Sequence, residues 1–431
     1  MLNWLQQFST FCFLDNHQYQ LSPHSMECLA GVGVRSSVGN LQPSVVSGQS
    51  AIGNLSAGRQ GRQSAKGMLD ELQKWIDQPG RSWIFGHLGY DLKNEIENVY
   101  SLHPDRVGFP DLYFFEPEII IRLTEREMII EAVDPDAVYQ AISTQESLTG
   151  LSPAVKDIIS RFSKEEYTRV IGQLKQHILR GDCYEINFCQ EFYCENAVID
   201  PVIIYKKLSS VSPNPFSAFY RVNDQWLICA SPERFLRRQG RSILSQPIKG
   251  TSKRSANNSA EDEENRVFLS NSEKDRAENV MVVDLVRNDL SRICTEGSVK
   301  VEELYGIYSF PQVHQMISTV SGELKKDISF AEIIRACFPM GSMTGAPKKR
   351  VMELIEQYER TRRGIFSGAV GYISPEGDFD LNVVIRSIMY NAASGYLSYQ
   401  AGSGITFYSD PENEWEECLL KADAIREVLT R

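Results

Sequence analysis

The chain has 431 residues, of which 42% are hydrophobic and 23% charged, a composition typical of folded globular proteins and unlike disordered, collagenous or coiled-coil chains. It carries 45 Lys and Arg against 56 Asp and Glu, a formal net charge of −11. No broad cationic surface is therefore expected for nucleic acid or an anionic membrane. An acidic protein can still bind an anionic metabolite where a bound cation or a few local Lys and Arg reverse the charge inside one pocket.

The nine cysteines are scattered and include no C-x-x-C pair. This distribution is typical of reduced thiols, most simply small buried side chains, rather than of a disulfide framework. The first 20 residues lack a basic start followed by an unbroken apolar stretch, so no secretory signal is expected. No run approaches the ~18 apolar residues of a membrane span. We therefore expect a soluble, cytoplasmic protein.

Residues 1–150 are predicted to form a β-rich N-terminal subdomain. The stretch 36–67 is rich in Ser, Gly and Gln and is compatible with edge strands or loops. Short apolar runs that indicate a meander of strands follow at 81–88, 112–123 and 127–133. Thr149–Pro153 carries the strongest boundary signal, so 151–431 is predicted to be a second, catalytic domain.

The second part mixes helices and strands. Ser163 and Glu166 match a capping box ahead of one apolar helical face, and Gly181 ends that helix. Alternating segments predict strands at 183–193, 216–220, 226–230, 243–247, 369–373, 381–390 and 396–403. Helical patterns are interleaved at about 262–270, 273–292, 329–337, 347–359 and 411–429. Elements alternate in blocks, so the predicted fold class is α+β rather than a regular parallel βαβ series.

Two of these helices carry acids near their N-terminal ends. Ser272 can cap the first helix, which presents Asp275 and Glu278 on one face. Asp410 can cap the second helix. Glu414, Glu417 and Lys421 lie on one face of that helix, within an arc of roughly 60°. Taken alone, this pattern most often marks a solvated surface with intrahelical ion pairs. Carboxylates from two helices would also suit Mg²⁺ bound with an anionic substrate.

Generic nucleotide signatures are not matched. The segment Gly341–Lys348 resembles a phosphate-binding loop, but its second glycine comes one place early and no hydroxyl residue follows the lysine. The Gly402–Gly404 segment has only the first half of a dinucleotide fingerprint.

Seven short motifs nevertheless occur in order. They are Ser231-Pro232-Glu233-Arg234-Phe235, Pro247-Ile248-Lys249-Gly250-Thr251, Lys274-Asp275-Arg276-Ala277-Glu278-Asn279, Asp284-x-x-Arg287-Asn288-Asp289, Gly345-Ala346-Pro347-Lys348, Val384-Ile385-Arg386 and Ala401-Gly402-Ser403-Gly404-Ile405. Together they resemble the chorismate-utilising enzymes, densely over about 160–431 and loosely over the N-terminal part. The resemblance implies large mixed or antiparallel β-sheets packed as a sandwich with helices outside, as in anthranilate synthase component I.

Lys249 separates the subfamilies, because anthranilate, isochorismate and salicylate enzymes usually have alanine at that place. The resemblance therefore implies the aminodeoxychorismate synthase component I type, which converts chorismate and ammonia to 4-amino-4-deoxychorismate for para-aminobenzoate and folate. It implies that a lysine of lowered pKa attacks C2 of the ring and expels the C4 hydroxyl before ammonia enters at C4. The alternatives are anthranilate synthase component I, a water-adding isochorismate or salicylate enzyme, and a non-catalytic chorismate-binding subunit.

The resemblance also implies roles for other side chains. Glu233 would be the general acid, which requires a raised pKa. The direct Mg²⁺ ligands would be Glu278 and Glu417, and those acting through water Asp275 and Glu414. The substrate-binding groups would be Arg386, Lys421, the backbone around Gly402 and Gly404, Thr251 and His314. Taken alone, His314 would more often be a packed core histidine.

Family members take ammonia from a glutamine amidotransferase, and the match uses the whole length, so a separate glutaminase subunit is the expected partner. Two positions depart from the family pattern. Glu185 stands where amide-forming relatives usually have Gln and water-adding ones Lys. Two interpretations are open: Glu185 orients ammonia or binds ammonium as a carboxylate, or its placement in the motif is off by one residue. Phe366 stands where Tyr or Trp is frequent. The Leu-Leu-Glu-Ser string of tryptophan-inhibited relatives is not found near the N-terminus, so feedback inhibition by tryptophan is not predicted.

Overall fold

The computed structural model describes residues 1–19, 27–40, 67–145, 152–255, 258–311 and 313–430. In chain order its strands are β1 (Thr10–Asp15), β2 (Cys28–Val32), β3 (Ser36–Gly39), β4 (Ile84–Leu88), β5 (Leu112–Glu116), β6 (Ile119–Leu123), β7 (Met128–Glu131), β8 (Ile159–Ser160), β9 (Glu185–Cys194), β10 (Phe216–Val222), β11 (Gln225–Ser231), β12 (Arg234–Gln239), β13 (Ser242–Gln246), β14 (Ile248–Lys253), β15 (Lys300–Ser309), β16 (Val313–Glu323), β17 (Gly345–Ala346), β18 (Ala369–Ile373), β19 (Phe379–Asn382), β20 (Ser387–Asn391) and β21 (Tyr396–Ile405).

The α-helices are α1 (Leu2–Leu5), α2 (Met68–Ile76), α3 (Lys93–Glu97), α4 (Pro135–Ser143), α5 (Lys164–Leu179), α6 (Pro201–Val211), α7 (Ser259–Asn271), α8 (Glu273–Ile293), α9 (Phe330–Cys337), α10 (Lys348–Tyr358) and α11 (Pro411–Thr430). None of these helices is long and apolar enough to cross a membrane.

The strands form two large antiparallel sheets. The first has 11 strands in the order β17-β9-β21-β20-β11-β10-β1-β2-β6-β7, with β8 beside β9. The second has 10 strands in the order β14-β16-β13-β12-β19-β18-β4-β5-β3, with β15 beside β16. The predicted α+β class with large sheets and helices is thereby confirmed.

Alternation along the strands creates two cores. In β1, Phe11 and Phe13 belong to the cluster that contains the apolar faces of α5, α6 and α11, whereas Cys12 belongs to the other cluster. That other cluster joins residues of both sheets, such as Leu227 and Leu381, with residues of α8 and α9. Because successive side chains of a strand point to opposite faces, one sheet can bury both of its faces.

Local signals are largely confirmed. Ser163 Oγ accepts a hydrogen bond from the Glu166 amide at 3.2 Å, and the Glu166 carboxylate accepts one from the Ser163 amide at 3.0 Å, so the predicted capping box begins α5. The strand predicted at 381–390 is wrong as a single element. It is divided into β19 and β20, and between them Arg386 adopts a left-handed φ of 50° that a continuous strand does not allow.

The division predicted near residue 150 does not separate the sheets. β1 pairs with β10, with Thr10 opposite Val222, so strands from both parts of the sequence share one sheet. Residues 149–151 of the boundary segment lie outside the described residues, as do residues 41–66 of the Ser-, Gly- and Gln-rich stretch.

Candidate active site

Lys249 lies at the irregular start of β14. The pairing of β14 with β16 changes register between Ile248 and Thr251, so the lysine falls within the irregularity. Its side chain is 9% exposed, and its Nζ donates a hydrogen bond to Oε1 of Glu185, the first residue of β9, at 2.5 Å. Residue 404 on β21 has no room for a side chain beside this pair, so glycine is required there. A Cβ at that residue would lie 2.5 Å from Glu185 Oε1 and 2.8 Å from Lys249 Nζ.

The pKa of Lys249 corrects one prediction. The sequence led us to expect an amine whose pKa is lowered by burial or a nearby cation. Burial does lower it, but the carboxylates of Glu185, Glu278 and Glu233 outweigh burial and raise the pKa above its ordinary value. The amine is therefore an ammonium in the free chain, and it needs a proton acceptor before it can act as a nucleophile.

Glu233 has the environment expected of a proton donor. It lies between β11 and β12 and is 4% exposed. Burial raises its pKa to about 7, even though the Ser342 hydroxyl, Lys249 and Arg386 all favour the charged form. Ser342 Oγ donates to Glu233 Oε1 at 2.6 Å. Sequence reasoning missed Ser342. The signal that could have found it was its position just before the Gly345-Ala346-Pro347-Lys348 motif.

The predicted acids come together around a lysine that the sequence did not single out. Lys274 Nζ lies 3.2 Å from Glu414 Oε1, 3.9 Å from Glu278 Oε1 and 4.0 Å from Glu417 Oε2. Helices α8 and α11 therefore do face each other at this point. Asp275 packs against β14, because a Cβ on Gly250 would lie 3.0 Å from Asp275 Oδ1.

The charge states within this acidic cluster differ. Burial raises the pKa of Glu278 to about 8, with the charges of Glu185 and Glu417 adding to the effect. Lys421 lowers the pKa of Glu417, since its Nζ lies 2.7 Å from Glu417 Oε1. Glu414 is buried and accepts a hydrogen bond from the Ser403 hydroxyl.

The acidic residues around Lys274 have the side-chain oxygens that a divalent cation would need. Among the described residues, no group of three or more His, Cys, Asp or Glu side chains forms a ready metal cage. The chemistry nevertheless fits a hard cation, because three acidic side chains already surround the Lys274 ammonium and Glu278 Oε1 is buried without a hydrogen bond from any described residue. The metal and its four predicted ligands stay predictions.

The predicted carboxylate-binding groups border this region. Lys421 Nζ donates to the carbonyl oxygen of Gly402 at 2.9 Å, which links α11 to β21. Burial lowers the pKa of Arg386 to about 10, and the charge of Glu233 partly offsets this effect. Arg386 therefore remains cationic at neutral pH beside the buried Glu233.

Thr251 and His314 are placed differently. Thr251 is exposed on β14, opposite Gln315 of β16. The His314 ring is buried and already uses both nitrogens, Nδ1 with Ser309 Oγ at 2.8 Å and Nε2 with Asp262 Oδ1 at 3.2 Å. Their roles in substrate binding stay predictions. Phe366 is 2% exposed in the core, where it offers no hydroxyl.

Buried ionisable groups that lie close together, as Lys249, Glu185 and Glu233 do here, are typical of sites that transfer protons or attack carbon, and they indicate an enzyme. The family model described as chorismate binding enzyme matches residues 35–427. The chain therefore belongs to the chorismate binding enzyme family, as its motifs predicted.

Individual relatives give the same result. The chain is 34% identical over 363 residues to aminodeoxychorismate synthase component 1 of Escherichia coli, covering 82% of this chain and 78% of that protein. It is 34% identical over 354 residues to an anthranilate synthase component I-like protein of Synechocystis, covering 80% and 72%. The crystal structure of anthranilate synthase component I from Streptococcus pneumoniae aligns with a TM-score of 0.74 at 26% identity, covering 83% of this chain and 85% of that one.

Proposed function

We propose that this chain converts chorismate and ammonia to 4-amino-4-deoxychorismate. The observation that carries the proposal is Lys249, a buried primary amine among Glu185, Glu233 and Glu278. In the family that the motifs resemble, a lysine at this place distinguishes the enzymes that aminate C4 from those that act at C2. The similarity to aminodeoxychorismate synthase component 1 of E. coli supports the same choice.

In the proposed reaction, neutral Lys249 Nζ forms a bond to C2 while the C4–O bond breaks. Glu233 gives its proton to the departing hydroxyl, which leaves as water. Ammonia then forms a bond to C4, the C2–N bond breaks, and the lysine is released. The new C4 ammonium returns one proton to Glu233, so the net change is loss of water and gain of an amine.

The remaining groups would bind the substrate. Arg386 and Lys421 would hold its carboxylates, with Gly402 beside them. Glu278 and Glu417 would hold Mg²⁺ directly, and Asp275 and Glu414 through water. When bound, the cation would neutralise a substrate carboxylate. Thr251 and His314 would lie on the ring side.

We also propose a separate glutamine amidotransferase subunit as the source of ammonia, since little NH₃ is present at neutral pH. A cytoplasmic location fits the nine cysteines, all of which are free and buried.

The test is mass-resolved product analysis with chorismate, Mg²⁺ and ammonium. We expect the wild-type chain to yield a C4 amine without release of pyruvate. In Lys249→Ala the rate of C4 amination should fall by about 100-fold or more, as expected when a nucleophile is removed. The variant should instead form products substituted at C2. Lys253→Ala removes an exposed lysine of the same strand and should change little.

Each rival predicts another product. Anthranilate synthase activity would give a fluorescent aromatic amine and pyruvate without a lyase, and the Synechocystis relative makes this the nearest alternative. Turnover without ammonia or glutamine would identify a water-adding enzyme. Tight chorismate binding with no product under saturating ammonia and Mg²⁺ would identify a non-catalytic subunit. Any of these results would contradict the proposal.

A further inference from the structure

Lys249 contacts Glu185, and the proposed function, on which this inference rests, does not say which group removes the proton from the lysine. The Lys249 side chain is 9% exposed and that of Glu185 1%. With Nζ donating to Oε1 at 2.5 Å, the amine is a protonated ion-pair partner. An ammonium has no lone pair, so it cannot attack carbon until one proton has left.

The neighbouring acids differ in what they can accept. Glu233 is bonded to Ser342 and must itself supply a proton to the leaving hydroxyl. Glu278 and Glu417 belong to the acidic cluster around Lys274. Among the described residues, Glu185 is the acid whose oxygen lies within 4.0 Å of Lys249 Nζ.

The second oxygen of Glu185 is also informative. Oε2 is buried and accepts no hydrogen bond from any described residue. Among the described residues, Lys249 is therefore the one hydrogen-bond donor to this carboxylate, and Oε2 is available to carry a hydrogen. Transfer within the pair leaves two neutral groups, which a buried site tolerates better than two separated charges.

We propose that Glu185 is the base that takes a proton from Lys249 before the lysine attacks C2. One N–H bond of Lys249 breaks and one O–H bond of Glu185 forms. When ammonia displaces the lysine, the released amine takes the proton back. The pair thus begins and ends each cycle in the same state, and no other acid or base is needed for this transfer.

An internal base matters because of the surrounding charges. Lys249 faces Glu185, Glu233, Glu278 and Glu417, and these acids favour its ammonium form. Without a base in contact, the lysine would have to lose its proton to bulk solvent, and the fraction of free amine would depend on pH.

The test follows formation of the lysine adduct. Chorismate and Mg²⁺ are mixed with the full chain without ammonia, and intact mass is measured after rapid quenching between pH 6 and pH 9. The measured quantity is the ratio of the Glu185→Gln rate to the wild-type rate, because titration of Glu233 cancels in it. We expect this ratio to rise about tenfold per pH unit until the lysine is neutral, as for a one-proton dissociation.

Two variants serve as controls. Glu191→Gln makes the same change at another buried acid of β9, which pairs with Arg161, and its ratio should not vary with pH. Glu185→Asp keeps a carboxylate, so its ratio should be reduced but independent of pH. Circular dichroism of each variant shows whether it is folded.

A Glu185→Gln ratio that stays constant with pH would overturn the inference. So would a variant that forms the adduct normally but needs more ammonium, since that result assigns Glu185 to ammonia binding. If wild-type chain forms neither adduct nor C4 amine, the proposed function itself fails, which is a different outcome.

Discussion

The pKa of Glu233 depends on its burial and on a hydrogen bond from the Ser342 hydroxyl. Burial raises the pKa of Glu233 to about 7, and the hydrogen bond from Ser342 opposes that rise because it stabilises the carboxylate. A general acid must be protonated to act, so activity should fall as pH increases through this pKa.

Ser342→Ala should therefore move the high-pH limb of the kcat/KM profile to higher pH. A lost hydrogen bond to a charged group is worth about 1.5 kcal/mol, which corresponds to roughly one pH unit. Thr344→Ala is the matched control, since the Thr344 hydroxyl donates to the Met340 carbonyl in the same loop. A limb that stays in place in Ser342→Ala would disprove the link between this hydroxyl and the proton donor.

At the scale of elements, two capped helices bring the acids together. Ser272 Oγ accepts from the Asp275 amide at 3.3 Å at the start of α8. Asp410 Oδ1 accepts from the Glu412 and Asn413 amides at 3.1 Å at the start of α11. Each cap fixes the first turn of its helix and so the direction in which its acids project.

Mg²⁺ alone should stabilise the chain if it binds between these helices. A ligand present at 100 times its Kd adds about 2.7 kcal/mol to the free energy of unfolding, which thermal denaturation detects as a higher Tm. Glu417→Gln should lose most of this gain. Glu416→Gln, at an exposed neighbouring acid of the same helix, should keep it. Equal Mg²⁺ effects in both variants would exclude Glu417 as a ligand.

At the scale of the whole molecule, burial of Glu233 in the site lowers the free energy of unfolding above pH 4.5, and packing of the two sheets has to offset this loss. Glu233 has its pKa raised from 4.5 to about 7 on folding, so the folded chain binds more protons than the unfolded chain in that range. Stability must then decrease as pH rises from about 4.5 to about 7. This cost is on the order of a few kcal/mol of unfolding free energy.

Glu233→Gln should remove this cost while it abolishes the proton donor. We expect the variant to be more stable than wild type towards urea at pH 8, with the difference decreasing towards pH 4, where the glutamate is neutral in both states. Glu191→Gln breaks an ion pair with Arg161 and should be destabilising at pH 8. The stability difference between Glu233→Gln and wild type should be larger at pH 8 than at pH 4. If it is not, the raised pKa is wrongly assigned to Glu233.

Much of the fold followed from local patterns. The limits of α5, α8 and α11 were predicted within a few residues, because caps and apolar periodicity are properties of neighbouring residues. Strands β12, β14, β15 and β16 were not predicted. They carry many polar and charged residues, as in Ile248–Lys253, and are held by pairing with distant strands rather than by an alternating apolar pattern.

The sequence by itself determined the family and the α+β class, and it predicted several residues that lie close together, such as Lys249, Glu233 and Glu278, because ordered motifs and local periodicity are properties of neighbouring residues. Only the tertiary structure decided that Glu185 contacts Lys249 across 64 residues, that Ser342 reaches Glu233, and that the pKa of the lysine is raised rather than lowered. Contacts between distant segments and the burial of charge depend on how the sheets and helices pack, and no local pattern records them.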